Sequence, residues 1–285
     1  MNTSFDANQQ VDHYASGKFP QYARLTAGER LFLRTCCYLP PRPPRVRTLE
    51  HVGRTEHYAA VFERAYGPDV WSRIAGKEVL DLGCGDGAHV LALAARGAAH
   101  VTGLDILPAY HLAERTAIAR GYPVSFIGGD TAALPDAAFD VVFSHDSFEH
   151  FADAAGVLAE MVRLTRPGGR LMIKFGPPWR NPWGRHMSGT IRRDRPWIHL
   201  LVPERSIMRV HSVYHGQPIS EHYTDLPGGM NKMTVGRFRC LLQQQPGIRL
   251  ETFHVFPLYR LRVLTAFPVV REFFVSGVRA VCVRD

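Results

Sequence analysis

The stretch Val79–Gly87, VLDLGCGDG, decides how the rest of this 285-residue chain is read. Apolar residues run into Asp81, and glycines then alternate at Gly83, Gly85 and Gly87, the pattern of a strand ending in a turn that opens a helix. Glycine tolerates positive φ and, lacking Cβ, lets the backbone lie directly against a ligand.

Downstream of that turn, strand and helix patterns alternate. A helix is expected from about Asp86 to Arg96, a second strand in AHVTGLDI, a helix through LAERTAIARG and a third strand in PVSFIGGD. FDVVFSHDS reads as a fourth strand, Asp153 to Leu164 as a helix and GGRLMIKF as a fifth strand. Unalternated apolar strands between amphipathic helices indicate a parallel sheet covered on both faces, which binds ligands beyond its strands' carboxyl ends. Upstream, Leu25 to Tyr38 has helical spacing and stops at the prolines of LPPRPPR, a stiff connector. Thr48 is placed to cap a helix running to about Tyr66, and a short helix follows over Asp69 to Ile74. Residues 1–75 are thus expected to form a helical lid segment, with Arg54 and Tyr58 either facing a cleft or packing. Residues 76–285 form the main domain, with an insertion at about 176–233. Towards the end, Thr234 to Gln244 reads as a helix, and Ile248 to Phe256 and Ser276 to Val283 as an antiparallel strand pair. The intervening LRVLTAFPVVREFF is apolar enough to cover an edge or to form a homodimer contact.

Composition limits the alternatives. Apolar residues make up 46% of the chain and charged residues 21%, which suits one large α/β domain with an insertion. Five cysteines, odd in number, without CxxC spacing and including the neighbours Cys36 and Cys37, make neither a disulfide framework nor a zinc site, so a reduced, cytoplasmic setting is expected. The start, MNTSFDANQQVDH, lacks a leader's basic and apolar regions, and no segment approaches the roughly 18 apolar residues of a membrane span. The net charge of +8 directs attention to anionic partners. Seven arginines between Arg180 and Arg209 face only Asp194 and Glu204, so that segment is either a solvated face or an anion-facing surface.

The ordered set DLGCGDG, GLDI, GGDTAALP, FDVVFSHDSFEH and LTRPGGRLMI, from Lys77 to Phe175, resembles the class I S-adenosylmethionine-dependent methyltransferases. The resemblance implies a Rossmann-like, seven-stranded, mostly parallel sheet with helices on both faces, and S-adenosylmethionine as cofactor. It assigns Asp81, Gly83, Cys84, Gly85 and Gly87 to the cofactor's methionine end, Asp105 and Ile106 to its ribose, Asp130 and Thr131 to its adenine edge, and Ser144 to the fourth-strand loop. The turn is GxGxG preceded by Asp81 rather than GxGxxG, and no hydride-transfer site follows, so a nicotinamide cofactor is disfavoured.

Methyl transfer asks an enzyme mainly to align an acceptor and exclude water, and a general base helps when the acceptor is a hydroxyl. His145 and Asp146, after the fourth strand, are the first catalytic candidates, with His186 and His199 of the insertion behind them. Glu149 and His150 are read as loop support, with a direct role for His150 the minority reading. No HxxxH pair or His/carboxylate triad stands at convincing spacing, so no metal site is expected. Tryptophans among the insertion's arginines raise an RNA acceptor, but SHDS occupies the position where base-methylating relatives carry a DPPY-like turn. The favoured function is methylation of an oxygen or nitrogen of a small metabolite, a sugar or secondary metabolite, with an acceptor whose anionic groups arginines could hold. A catalytically inactive cofactor-binding partner subunit is the remaining alternative.

Overall fold

A computed structural model describes residues 24–36, 48–186, 195–215, 217–225, 229–260 and 262–285. The expected loose start, the proline connector, Cys37, Arg192, Arg193 and Asp194 lie outside the described residues.

Seven strands form one sheet: β1 Glu78–Leu82, β2 His100–Asp105, β3 Val124–Gly128, β4 Phe139–His145, β5 Thr165–Phe175, β6 Ile248–Pro257 and β7 Val275–Arg284. Their spatial order is β3-β2-β1-β4-β5-β7-β6. The first five run parallel, β7 is antiparallel to β5, and β6 is antiparallel to β7. Strand order reverses between β1 and β4, with Val79 opposite Val141 and Asp81 opposite Phe143, the place where such sheets leave a crevice.

The lack of hydrophobic alternation in the sequence has a direct cause, because both sheet faces are buried. Leu80, Leu82 and Val142 enter one core with Leu158, Met161 and Phe238, whereas Val79, Val141 and Phe143 enter another with Phe62, Val90 and Val101.

Helix boundaries follow local chemistry. Thr48 accepts a hydrogen bond from the His51 amide at 3.2 Å, Asp153 from Gly156 at 2.9 Å and Thr234 from Arg237 at 3.2 Å, satisfying amides that a helix start leaves unpaired. The single helix expected from Thr48 to Tyr66 is two, Leu49–Val52 and Thr55–Tyr66, because Arg54 between them is non-helical (φ −80°, ψ 59°). The helix after the glycine turn is Ala88–Ala95, two residues later than expected, since Gly87 at its start is left-handed (φ 77°). Strand β5 starts at Thr165 rather than at the Gly168 of GGRLMIKF.

Two helices inside the insertion had no counterpart in the sequence reading, Ile198–Leu201 and Glu204–His215. The second packs on the N-terminal helix Ala27–Cys36, joining Leu33 and Cys36 to Ile207, Met208 and Val210 in one apolar cluster. Arg209 Nε stands 3.4 Å from Glu29 Oε1 across that contact. The segment before β7 exposes Val263, Phe267 and Val269. Among the described residues, no helix is long and apolar enough to cross a membrane.

Candidate cofactor and acceptor site

A cavity of about 410 Å³ opens at the carboxyl ends of β1, β2 and β4. Its walls include Gly83, Gly85, Asp105, Ile106, Asp130 and Thr131 from the sequence-based set, together with Asp146, Ser147, His150 and Phe151 of the loop after β4. Leu82, Leu104, Leu107 and Val157 make much of the remaining surface apolar.

The glycine turn is built by backbone bonds to the neighbouring strand. The amides of Gly83 and Cys84 both donate to Leu104 O, at 2.8 and 3.1 Å. Gly83 is left-handed (φ 82°), and a Cβ there would lie 2.5 Å from Ser147 Cβ. Ser147 Oγ donates to Gly83 O at 2.8 Å, tying the β1 turn to the β4 loop. Gly85 is also left-handed (φ 55°), and a Cβ there would meet nothing within 4 Å.

Asp105 holds the turn from the end of β2, its Oδ2 accepting from Gly85 N at 2.8 Å and its Oδ1 from Leu107 N at 2.9 Å. A carboxylate has about four acceptor positions, so two remain for a ligand. Asp130 Oδ1 accepts from Ala132 N at 3.0 Å, which caps the turn after β3. The Thr131 hydroxyl donates to Glu160 Oε2 at 2.6 Å.

Four members of the sequence-based cofactor set do not reach this wall. Asp81 is buried below the turn; burial, then the charge of Asp105, raises its carboxyl to about 7. Its Oδ2 has no hydrogen-bond partner among the described residues. Cys84 belongs to the core beside Phe62 and Val90, where burial pushes its thiol up. Gly87 serves packing, since a Cβ there would lie 2.6 Å from Ala113 Cβ. Ser144 is wholly buried.

The three catalytic candidates separate. Asp146 lines the cavity with a left-handed backbone (φ 54°), its Oδ1 accepting from Lys174 Nζ at 2.6 Å. The His145 ring is elsewhere, packed 5.2 Å from Phe62, 5.9 Å from Tyr66 and 4.7 Å from His89 between ring centroids. Burial, then the charge of Lys174, lowers His145 to about 3. It is therefore neutral near pH 7, and its 3.5 Å approach to Asp146 Oδ2 is not an ion pair. His186 stands outside the cavity wall, with burial as the main cause lowering it to about 4. It packs 5.5 Å from His150, which does line the wall.

Ser147 is thus a wall residue that the sequence reading did not single out, and His150, read there mainly as loop support, lines the wall as well; both stand within the quoted FDVVFSHDSFEH. Glu149, between them and His186, is buried; burial, then the charge of Asp146, raises its carboxyl to about 8. His199 is buried away from the cavity, with Nε2 2.6 Å from Trp179 O. Arg54 and Tyr58 are not on the wall either, and Tyr58 Oη bonds His51 Nε2 at 2.7 Å.

Five of the insertion's seven arginines are among the described residues, and they divide between packed and exposed positions. Arg185 is buried, Arg209 pairs with Glu29, and the Arg180 guanidinium lies 5.9 Å from the Phe273 ring centroid. Arg195 and Arg205 are exposed.

A parallel sheet with a crevice at its switch point, a glycine turn, and carboxylates ending β2 and following β3 define a nucleoside-binding α/β enzyme. Residues 80–173 match the family model described as "Methyltransferase domain". An uncharacterized methyltransferase of Mycobacterium ulcerans is 31% identical over 219 residues, covering 73% of this chain and 79% of that one. The demethylmenaquinone methyltransferase of Thermus thermophilus is 42% identical over 133 residues, covering 45% of this chain and 60% of its own length. The S-adenosylmethionine-dependent methyltransferase from Mesorhizobium loti superposes with a TM-score of 0.50 over 76% of this chain and 97% of that one, at 20% identity. The chain belongs to the class I S-adenosylmethionine-dependent methyltransferases, with S-adenosylmethionine as its cofactor. The residues present fit that group: Asp105 has spare acceptor capacity, Gly85 leaves its Cβ side open, and the cavity falls within the ordinary range for small ligands.

Proposed function

We propose that the protein methylates an oxygen or nitrogen atom of a small metabolite, with Asp146 as the group that takes the acceptor's proton. The observation that carries this reading is Asp146 itself, a carboxylate on the cavity wall next to the glycine turn, fixed by Lys174 at 2.6 Å.

S-adenosylmethionine supplies an electrophilic methyl group on a sulfonium. Asp105 would accept hydrogen bonds from the ribose hydroxyls through its free lone pairs while holding the turn through Gly85 and Leu107. Gly83 and Gly85 would offer close backbone approach, and Asp130 would face the adenine edge. Ile106, Leu107, Phe151 and Val157 would keep water from the reacting atoms. On the acceptor side, Asp146 would receive the O–H or N–H proton as the new bond to carbon forms. Lys174 holds that carboxylate in place, and neutral His145 backs it without taking part in proton transfer.

The helices Ala27–Cys36 and Glu204–His215 would act together as a cover over the acceptor, a role supported by their shared apolar cluster. An RNA acceptor would have to use the exposed Arg180, Arg195 and Arg205, since Arg185 is buried and Arg209 pairs with Glu29. The Thermus relative's name suggests a ring-bearing acceptor as the first compound class to try, beside amines and sugars.

The test is formation of S-adenosylhomocysteine with a panel of phenolic, quinol, sugar and amine acceptors, wild type against Asp146→Asn. With an accepted compound, the variant is expected to turn over about 100-fold slower or worse and to keep near-native cofactor affinity. Undiminished turnover would remove Asp146 as the base.

A further inference from the structure

Glu149, His150 and His186 meet beside the cavity. Each offers one ligand atom, and the three atoms lie within 4.8 Å of one another. Ligands around a tetrahedral divalent ion stand about 3.3 Å apart, a closure that small side-chain rotations supply. We propose that these three residues form a binding site for a zinc-type divalent cation at the edge of the acceptor cavity.

Four observations carry the assignment. Glu149 is 1% exposed, and a buried carboxyl group needs partners for its polar atoms. Its Oε1 accepts from Gly176 N at 3.3 Å, while its Oε2 is buried with no hydrogen-bond partner among the described residues. His150 Nδ1 is buried in the same condition. His186 Nε2 stands 2.9 Å from Pro177 O, an arrangement in which the ring donates to a backbone carbonyl and leaves Nδ1 as the lone-pair nitrogen. Metal-bound histidines are held in that way, the second nitrogen fixed by a carbonyl.

The site is also rigidly framed. Asn231 Nδ2 donates to both Phe148 O and Phe151 O at 2.9 Å, and Asn231 N donates to Glu149 O at 2.9 Å, so three hydrogen bonds from one residue fix the turn carrying Glu149 and His150. Two imidazoles with one carboxylate suit zinc and its first-row neighbours better than magnesium or calcium, which prefer oxygen. Three protein ligands leave a coordination position open, as in catalytic rather than structural sites. His150 belongs to both the cluster and the cavity wall. The cation would therefore sit where an acceptor's oxygen or nitrogen could complete its coordination, a role that rests on reading this wall as the acceptor side.

The experiment is a titration of chelator-stripped protein with Co²⁺, followed by its visible absorption, and with Zn²⁺ by calorimetry, for wild type, His186→Ala, Glu149→Gln and the surface control His111→Ala. Wild type and His111→Ala are expected to take up one equivalent with a low-coordination Co²⁺ spectrum. His186→Ala, whose backbone lies outside the sheet, should bind at least about tenfold more weakly with unchanged circular dichroism and unchanged S-adenosylhomocysteine affinity. Glu149→Gln should behave likewise if it folds. Equal Co²⁺ binding by wild type and His186→Ala, or no stoichiometric binding by wild type, would overturn the site. Neither result depends on methyl transfer, so failure here and failure of the proposed reaction are distinguishable.

Discussion

Single residues set the shape of the cavity, and Gly83 shows how. Its positive φ and its 2.5 Å clearance to Ser147 Cβ leave no room for a side chain. Gly83→Ala should lower stability by about 1–3 kcal/mol and loosen the β4 loop. Chemical denaturation read together with cofactor affinity checks this, and unaltered values for both would show that the turn adapts. The same scale marks what could be read from the chain alone. Gly83, Gly85, Asp105 and Asp130 belong to local motifs whose spacing is the signal. The meeting of His186 with Glu149 and His150 had no such signal, because 35 residues, including the whole of β5, lie between His150 and His186.

At the scale of elements, β4 explains why one catalytic expectation moved to a neighbour. Both faces of this strand are buried, so its sequence carries no alternation to tell which face each residue takes. Val141, Phe143 and His145 share one face, and His145 is consequently packed with His89, Phe62 and Tyr66 rather than set in the cavity. His145 has its proton affinity depressed, from 6.5 to about 3, chiefly by burial. The unfolded chain therefore binds the extra proton first, and the stabilising contribution present above pH 6.5 is lost as pH falls towards 3. His145→Phe removes this titration, so its melting temperature should decline less than that of wild type between pH 7 and pH 4. A scanning-calorimetry series gives the comparison, and an equal or steeper decline would contradict the burial account.

Across the whole molecule, the sheet and its glycine turn follow from periodicity and motif, whereas the packing of the N-terminal helix on the insertion does not. Helix Ala27–Cys36 was legible from apolar spacing, but its partner Glu204–His215 lies in a segment whose prolines, arginines and tryptophans interrupt the strand–helix alternation. The two meet through Leu33, Ile207, Met208 and Val210, with Arg209 and Glu29 across the contact. Leu33→Ala should destabilise that contact by about 2–5 kcal/mol, expose the N-terminal helix to trypsin and reduce turnover more than cofactor affinity. Wild-type resistance to cleavage would argue against a separately docked cover.

The account rests on one claim, that the cavity beyond β1 and β2 holds S-adenosylmethionine through Asp105. The most direct measurement is calorimetric titration of S-adenosylhomocysteine into wild type and Asp105→Ala. Loss of charge-assisted hydrogen bonds predicts affinity weaker by about 10- to 100-fold in the variant. Equal affinity in the two proteins would contradict the claim.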